Sequence, residues 1–180
     1  METQTVTERL CLACGLCCNG VLFRDVKLAP SDNRDILRQA GMATRPSGPG
    51  RRGEALPQPC AALCSDNCCR IYAHRPGRCR AFECALFQAV AAETVTASAA
   101  LRTIRATRGQ AEKVRSLLSR IGEPDEAIPL SLRFRRACRR LERSNPGDTT
   151  SADFAELTLE MHALNLILST KFYPGGAPST

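Results

Sequence analysis

Tryptophan is absent from the sequence, and six phenylalanines and two tyrosines are its only aromatic residues. So few rings leave little of the base-stacking surface on which proteins bind single-stranded nucleic acids. Lysine is almost as scarce, because Lys27, Lys113 and Lys171 are the only lysines and arginine supplies the other basic residues. The net charge of +7 is compatible with a nucleic-acid face, but an arginine-rich composition or the charge of metal-bound thiolates explains it as well. We therefore do not expect nucleic acid as a partner.

Long apolar runs are also missing. No stretch approaches the roughly 18 consecutive apolar residues of a membrane-spanning helix, and the N-terminal METQTVTERL has no apolar segment of the signal-peptide type. We therefore expect a cytoplasmic protein with no membrane contact, in a compartment where thiols are kept reduced. A phosphate-binding GxxxxGK[ST] loop is absent, and so is a nucleophile–base motif. No catalytic residue is predicted.

Cysteine is the abundant residue: the chain has eleven, and ten of them precede residue 88. A disulfide framework would leave one thiol over, so metal or cluster ligation is the better interpretation. The first group reads Cys11-x2-Cys14-x2-Cys17-Cys18, and its Cys-x2-Cys-x2-Cys run is the first part of the bacterial ferredoxin cluster motif. Gly15 removes a Cβ where the chain must turn tightly around sulfur.

The second cysteine group has no paired histidines at zinc-finger spacing. Arginines interleave with its thiols, either to balance thiolate charge or as a solvated face. Packing alone gives no reason for so many thiols, whereas coordination turns them into folding energy. This group comprises Cys60, Cys64, Cys68, Cys69, Cys79 and Cys84, with Arg70, Arg75, Arg78 and Arg80 between them.

Composition divides the chain into two predicted domains. Residues 1–88 hold the cysteines and form an irregular, metal-organised half, and residues 89–180 form a helical extension with a frayed tail. Apolar residues recur at helical spacing over 98–122, 130–141 and 154–168. Three amphipathic helices joined by short breaks predict a small antiparallel bundle. The expected fold is mainly α, at most with a small α+β part.

Local signals in the first half are weaker. We expect a short strand over 21–26, a helix over 35–40 that Ser31 caps and Gly41 ends, and a loop over 42–59. We also expect metal ions ligated by cysteine sulfur, rather than an apolar interior, to hold this half together.

Three features could be functional, but each has a simpler structural interpretation. We interpret His74 as a surface residue rather than a ligand, and Cys138, on an apolar stripe, as a small buried hydrophobic residue. A basic helical stripe is interpreted as a solvated face, with a phosphate or an acidic partner as the alternative. The stripe consists of Arg133, Arg136, Arg140 and Arg143.

The order of the cysteine motifs resembles the YkgJ-type cysteine-cluster family over about residues 8–88. The resemblance includes the segment from Cys69 through Tyr72 and Arg75-Pro76 to Cys84. This family is described as zinc- or iron-chelating. Cys64 and Cys68 are not part of its pattern, so the pairing of ligands with centres stays open. The resemblance implies eight metal ligands: Cys11, Cys14, Cys17, Cys18, Cys60, Cys69, Cys79 and Cys84.

The expected function is therefore metal binding without catalysis. Metal ions are the expected ligands, either zinc or iron, with a 4Fe–4S cluster as one form that the iron could take. An unidentified protein partner is compatible with this function. One alternative is an iron–sulfur-dependent methyltransferase, because flagellin lysine N-methylases are similar in their cysteine cluster, although larger. A second alternative is a metal-organised nucleic-acid module.

Overall fold

The structure is a computed structural model that describes residues 5–47, 53–143 and 150–175. Within these ranges it has seven α-helices, one 3-10 turn and three short strands, which confirms the predicted mainly α fold with a small sheet. The chain forms two compact units, Met1–Glu83 and Cys84–Thr180. The predicted metal-binding character of residues 1–88 stays a prediction. None of the described helices is both long enough and apolar enough to cross a membrane.

Helix α1 opens the first unit and spans Val6–Cys14, where no helix was predicted. The Thr5 hydroxyl accepts a hydrogen bond from the Glu8 N–H, and the Glu8 carboxylate accepts one from the Thr5 N–H. This reciprocal capping satisfies two backbone donors that a helix N-terminus otherwise leaves unpaired. Gly15 ends the helix in the left-handed conformation, with φ of 67°.

Helix α2 spans Arg34–Gln39 and is capped by Asn33, not by Ser31 as predicted. The Asn33 Oδ1 accepts hydrogen bonds from the N–H groups of Asp35 and Ile36, at 3.0 and 3.1 Å. Asn33 lies next to the first helical residue, whereas Ser31 is too far from the free N–H groups of the first turn.

A small antiparallel sheet corrects two further predictions. Strand β1 is Asp25–Lys27, later and shorter than the predicted strand, and β2 (Arg45–Pro46) and β3 (Glu54–Pro57) lie within the predicted loop. The sheet order is β1-β3-β2, with Val26 opposite Leu56. Strands this short depend on their pairing partners, which local sequence patterns do not reveal. A 3-10 turn at Tyr72–His74 and helix α3 at Gly77–Ala81 complete this unit.

The first unit also has an apolar core. Leu37, Met42, Leu56 and Ala62 are buried together, and the expectation that this half lacks an apolar interior is wrong in that respect. Cys60 and Cys69 pack against the core, alongside Leu28, Ala40 and Ile71. Two of the predicted metal ligands are therefore supported by hydrophobic packing.

In the described residues of the second unit there are four helices. They are α4 (Ala85–Ala91), α5 (Ala97–Arg120), α6 (Leu130–Leu141) and α7 (Thr150–Lys171). Thr96 caps α5. Gln110 contacts Glu160, while Arg120, further along α5, contacts Asp153, earlier on α7. Helices α5 and α7 are therefore antiparallel, as predicted, and Leu157, Met161, Leu164 and Leu168 bury the inner face of α7.

The predicted basic stripe is only partly a solvated face. Arg133 is 1% exposed, and its Nε donates to the Glu123 carbonyl at 3.0 Å. Arg140 donates to the Gly122 carbonyl at 3.2 Å and to the Glu123 carboxylate at 2.7 Å. These two arginines hold the segment between α5 and α6 through its carbonyl groups, whereas Arg136 and Arg143 are exposed. Cys138 is half-buried.

Candidate metal centre

Helix α1 and the turn after it position the first cysteine group. Cys11 and Cys14 are three residues apart in α1 and therefore lie on neighbouring positions of one helix face. Beyond Gly15 the chain turns back, and the Cys18 N–H donates to the Gly15 carbonyl at 2.9 Å. Cys11 lies in the last turn of α1, and the reversal keeps Cys18 near this C-terminal end of the helix.

The second cysteine group is attached to the first through the backbone. The Cys60 N–H donates to the Cys18 carbonyl at 2.7 Å. Cys69 pairs with Leu63 in an antiparallel bridge that follows Cys60. Cys79 lies in α3, which is held in place because the Gly77 N–H donates to the Asp32 carboxylate at 2.7 Å.

Thiols from both cysteine groups affect one another electrostatically. Burial raises the pKa of Cys18, and the negative charges of Cys60, Cys79, Cys69 and Cys11 raise it further. Burial likewise raises the pKa of Cys79 to about 12, with contributions from Cys60 and Cys69. Such mutual effects require thiols close together in a partly dehydrated setting. We call this set the five-thiol cluster: Cys11, Cys18, Cys60, Cys69 and Cys79.

Arg75 is a cation beside the five-thiol cluster, as Arg70 is next to Cys60. Burial raises the pKa of Cys11, while the charge of Arg75 and its hydrogen bond to the thiol oppose that rise. The guanidinium lies 3.6 Å from the centroid of the Tyr72 ring, and its Nε donates to the Tyr72 carbonyl at 3.0 Å. These contacts fix the direction of the guanidinium. In the sequence, Arg75 is one of four arginines between the cysteines, and no feature of the pattern distinguishes it from the other three.

Three predicted ligands are placed differently. Cys14 is buried at the end of α1 and Cys17 is half-buried in the following turn. Cys84 belongs to the second compact unit, where it is the N-cap of α4 and its Sγ accepts a hydrogen bond from the Phe87 N–H at 3.4 Å. This capping role was not foreseen, because a cysteine before a helix carries no strong capping signal. His74 is exposed, in agreement with its interpretation as a surface residue.

The donor chemistry of the five-thiol cluster suits a thiophilic cation. Thiolates are preferred ligands of zinc and of iron–sulfur clusters. A bound cation would offset the burial and the mutual repulsion that raise the thiol pKa values. In the parts of the chain that the structure describes, however, no three Cys, His, Asp or Glu side chains are already arranged to hold a metal ion. The thiols are neighbours without a closed coordination shell, so side chains must move for an ion to be bound.

Comparison with known proteins bears on this chemistry. The family model CxxCxxCC, described as a putative zinc- or iron-chelating domain, matches residues 10–114. No curated protein and no solved structure matches the chain. The matched region is more than half of the chain, contains every cysteine except Cys138, and continues past the predicted boundary near residue 88 into α5. The chain is therefore a member of the CxxCxxCC family.

Proposed function

We propose that this protein binds zinc or iron through the thiolates of the five-thiol cluster. The observation that carries the proposal is the meeting of the two cysteine groups, because the Cys60 N–H donates to the Cys18 carbonyl at 2.7 Å. Burial and neighbouring thiolate charge also raise the pKa of Cys18. When these thiols are deprotonated their thiolates repel one another, and a bound cation offsets that repulsion. Membership of a family described as zinc- or iron-chelating points to the same chemistry.

The residues of this chain have separate parts in binding. The cluster cysteines lose their protons as the ion binds and supply the sulfur ligands. Arg75 donates a hydrogen bond to Cys11 and partly neutralises the thiolate charge. Cys60 and Cys69 are held by the apolar core, which limits the movement needed to close the coordination shell. Cys14, Cys17 and Cys84 complete the eight ligands that the resemblance implies, and their ligation stays a prediction.

The proposed role is binding without catalysis by the protein itself. When bound, zinc would supply a closed tetrahedral thiolate centre, and iron would supply a redox-active one. No nucleophile–base motif is present in the sequence, and the donor set consists of soft ligands of the kind found in structural, storage and electron-transfer centres.

Elemental analysis of protein purified without oxygen tests this proposal. We expect stoichiometric zinc or iron in the unmodified protein and a loss of at least half of that metal in the C18S/C79S variant. The matched control is C138S, in α6 of the second unit, which should retain the metal content of the unmodified protein. A brown colour would identify an iron–sulfur cluster and a colourless zinc-containing protein a zinc site. Folded but metal-free protein, or a C18S/C79S variant with full metal content, would refute the proposal.

A further inference from the structure

Cys64 and Cys68 flank a tight hairpin beside the five-thiol cluster, whose member Cys69 directly follows Cys68. The Cys64 N–H donates to the Cys68 carbonyl at 2.8 Å, and the Asn67 N–H donates to the Cys64 carbonyl at 2.9 Å. Asn67 has a φ of 68°, in the left-handed region. A turn followed by one left-handed residue is the usual form of a three-residue hairpin loop. The antiparallel pairing continues below it from Leu63 to Cys69.

This hairpin brings the two thiols together. Residues directly opposite each other in an antiparallel pair project to the same side, with Cβ atoms about 4.5–5.5 Å apart. Cys64 and Cys68 are such a pair, and both are half-buried, while Ser65 and Asp66 at the tip are exposed. The thiols are therefore close to each other and within reach of solvent.

Two contacts make the hairpin a defined structure rather than a loose loop. The Asp66 carboxylate accepts a hydrogen bond from the Cys68 N–H at 3.0 Å, which places a negative charge beside the thiol pair. Asn67 packs so closely on Gly15 that a Cβ on Gly15 would lie 2.9 Å from the Asn67 Cβ. The hairpin is thus seated on the C-terminal end of α1.

We propose that Cys64 and Cys68 form a separate two-thiolate site for a thiophilic divalent cation, at the edge of the five-thiol cluster. Binding breaks two S–H bonds, releases two protons to solvent and forms two metal–sulfur bonds. Water fills the remaining positions, so the ion stays exchangeable, unlike an ion in a closed thiolate site. Because Cys69 follows directly and belongs to the five-thiol cluster, an incoming ion meets the pair beside the proposed permanent ligands. This inference extends the proposed function to the uptake of its metal.

Cadmium is a suitable probe, because it is a soft divalent cation that binds thiolates. The total metal per chain, carried plus added, is measured by non-denaturing mass spectrometry as cadmium is added to anaerobically purified protein. We expect C64S/C68S to saturate with one metal ion fewer than the unmodified protein, and C138S to match the unmodified protein. The C18S/C79S variant should lose cluster metal and still bind the ion at the hairpin.

Each alternative outcome is distinct. If C64S/C68S binds as much metal as the unmodified protein, the hairpin site does not exist and the proposed function is unaffected. If C64S/C68S loses all metal, the pair belongs to the ligand set of the cluster and is not separate. An unmodified protein that binds no metal defeats both proposals. Should C64S/C68S fail to fold, alkylation of the unmodified protein decides instead, since added cadmium must protect Cys64 and Cys68 from the reagent.

Discussion

Gly15 is the residue whose backbone most constrains the first unit. Its φ is 67°, a conformation that residues with a Cβ adopt at a cost of about 1–2 kcal/mol. Asn67 lies against the position that a Cβ would occupy. The chain reversal between Cys14 and Cys18 and the seating of the hairpin both depend on this glycine.

We predict that G15A lowers the free energy of unfolding by about 1–3 kcal/mol, from backbone strain and the displacement of Asn67. G109A is the matched control, because Gly109 is exposed within α5 and a Cβ there meets nothing within 4 Å. That substitution should stabilise the protein by roughly 0.5–1 kcal/mol through helix propensity. Urea denaturation measures both, and effects of the same sign would contradict the account.

Arg133 shows how a charged residue can be structural. Its side chain is 1% exposed, and burial is the main cause that lowers its pKa. The guanidinium donates to the Glu123 carbonyl and to the Ser119 hydroxyl, the latter at 3.3 Å. It therefore supplies hydrogen-bond donors to the end of α5 and the segment that follows.

R133M should lower the free energy of unfolding by about 1–3 kcal/mol, because the half-buried Glu123 carbonyl loses its donor. The same substitution at exposed Arg136 should change stability by no more than about 0.5 kcal/mol. Thermal denaturation compares the two variants. An equal loss of stability in R133M and R136M would contradict this structural role of Arg133.

At the scale of elements, the pairing of α5 with α7 combines an apolar interface with polar contacts at its edge. The Glu160 carboxylate accepts hydrogen bonds from Lys113 and from Gln110, the latter at 2.6 Å. These bonds and the charge of Lys113 hold the pKa of Glu160 below its usual value of 4.5. Folding therefore favours the ionised form of this carboxyl group.

The contribution of Glu160 to stability depends on pH in a definite direction. Because its pKa is lower in the folded protein, the contribution is present above pH 4.5 and is lost as the pH falls through the folded-state pKa. We predict that E160Q lowers the urea midpoint at neutral pH and that the difference from the unmodified protein shrinks in acid. E112Q, at a residue of α5 whose side chain is 66% exposed, should show little difference at either pH. If the difference in urea midpoint between E160Q and the unmodified protein does not change with pH, this linkage is excluded.

The elements also differ in how far the sequence predicts them. Helices α5, α6 and α7 could be predicted, because apolar residues repeat over three or more turns and packing follows that repeat. Helix α1 is short and carries two cysteines, so its capping by Thr5 and Glu8 was masked by the metal motif. Strands β2 and β3 are two and four residues long, too short for alternation to be visible.

For the candidate site, the cysteine count and the motif order predicted the chemistry but not the arrangement. That Cys11 and Cys18 join Cys60, Cys69 and Cys79 depends on the Cys18–Cys60 backbone hydrogen bond and on the bridge at Cys69. These are contacts between distant segments, which spacing along the chain does not encode. The capping role of Cys84 likewise depends on where α4 begins.

At the scale of the whole molecule, the two compact units have different sources of stability. The second unit buries continuous apolar stripes along its long helices. The first has short elements, and thiols border its apolar cluster of Leu37, Met42, Leu56 and Ala62. A bound metal stabilises the state that binds it. The first unit should therefore depend on metal far more than the second.

We predict that a chelator lowers the unfolding temperature of the first unit and leaves the helical circular dichroism signal, which is largely that of the second, little changed. Hydrogen exchange resolved by segment separates the two responses. The C18S/C79S variant, already short of metal, should respond weakly to the chelator. Equal loss of protection in both units would contradict this division.

X-ray absorption spectroscopy at the edge of the bound metal is the sharpest test of sulfur ligation, because it identifies the ligand atoms themselves. We expect a first shell dominated by sulfur, at about 2.3 Å if the metal is zinc, which weakens in C18S/C79S and is unchanged in C138S. A first shell of oxygen and nitrogen, or a sulfur shell that C18S/C79S leaves intact, would contradict this expectation.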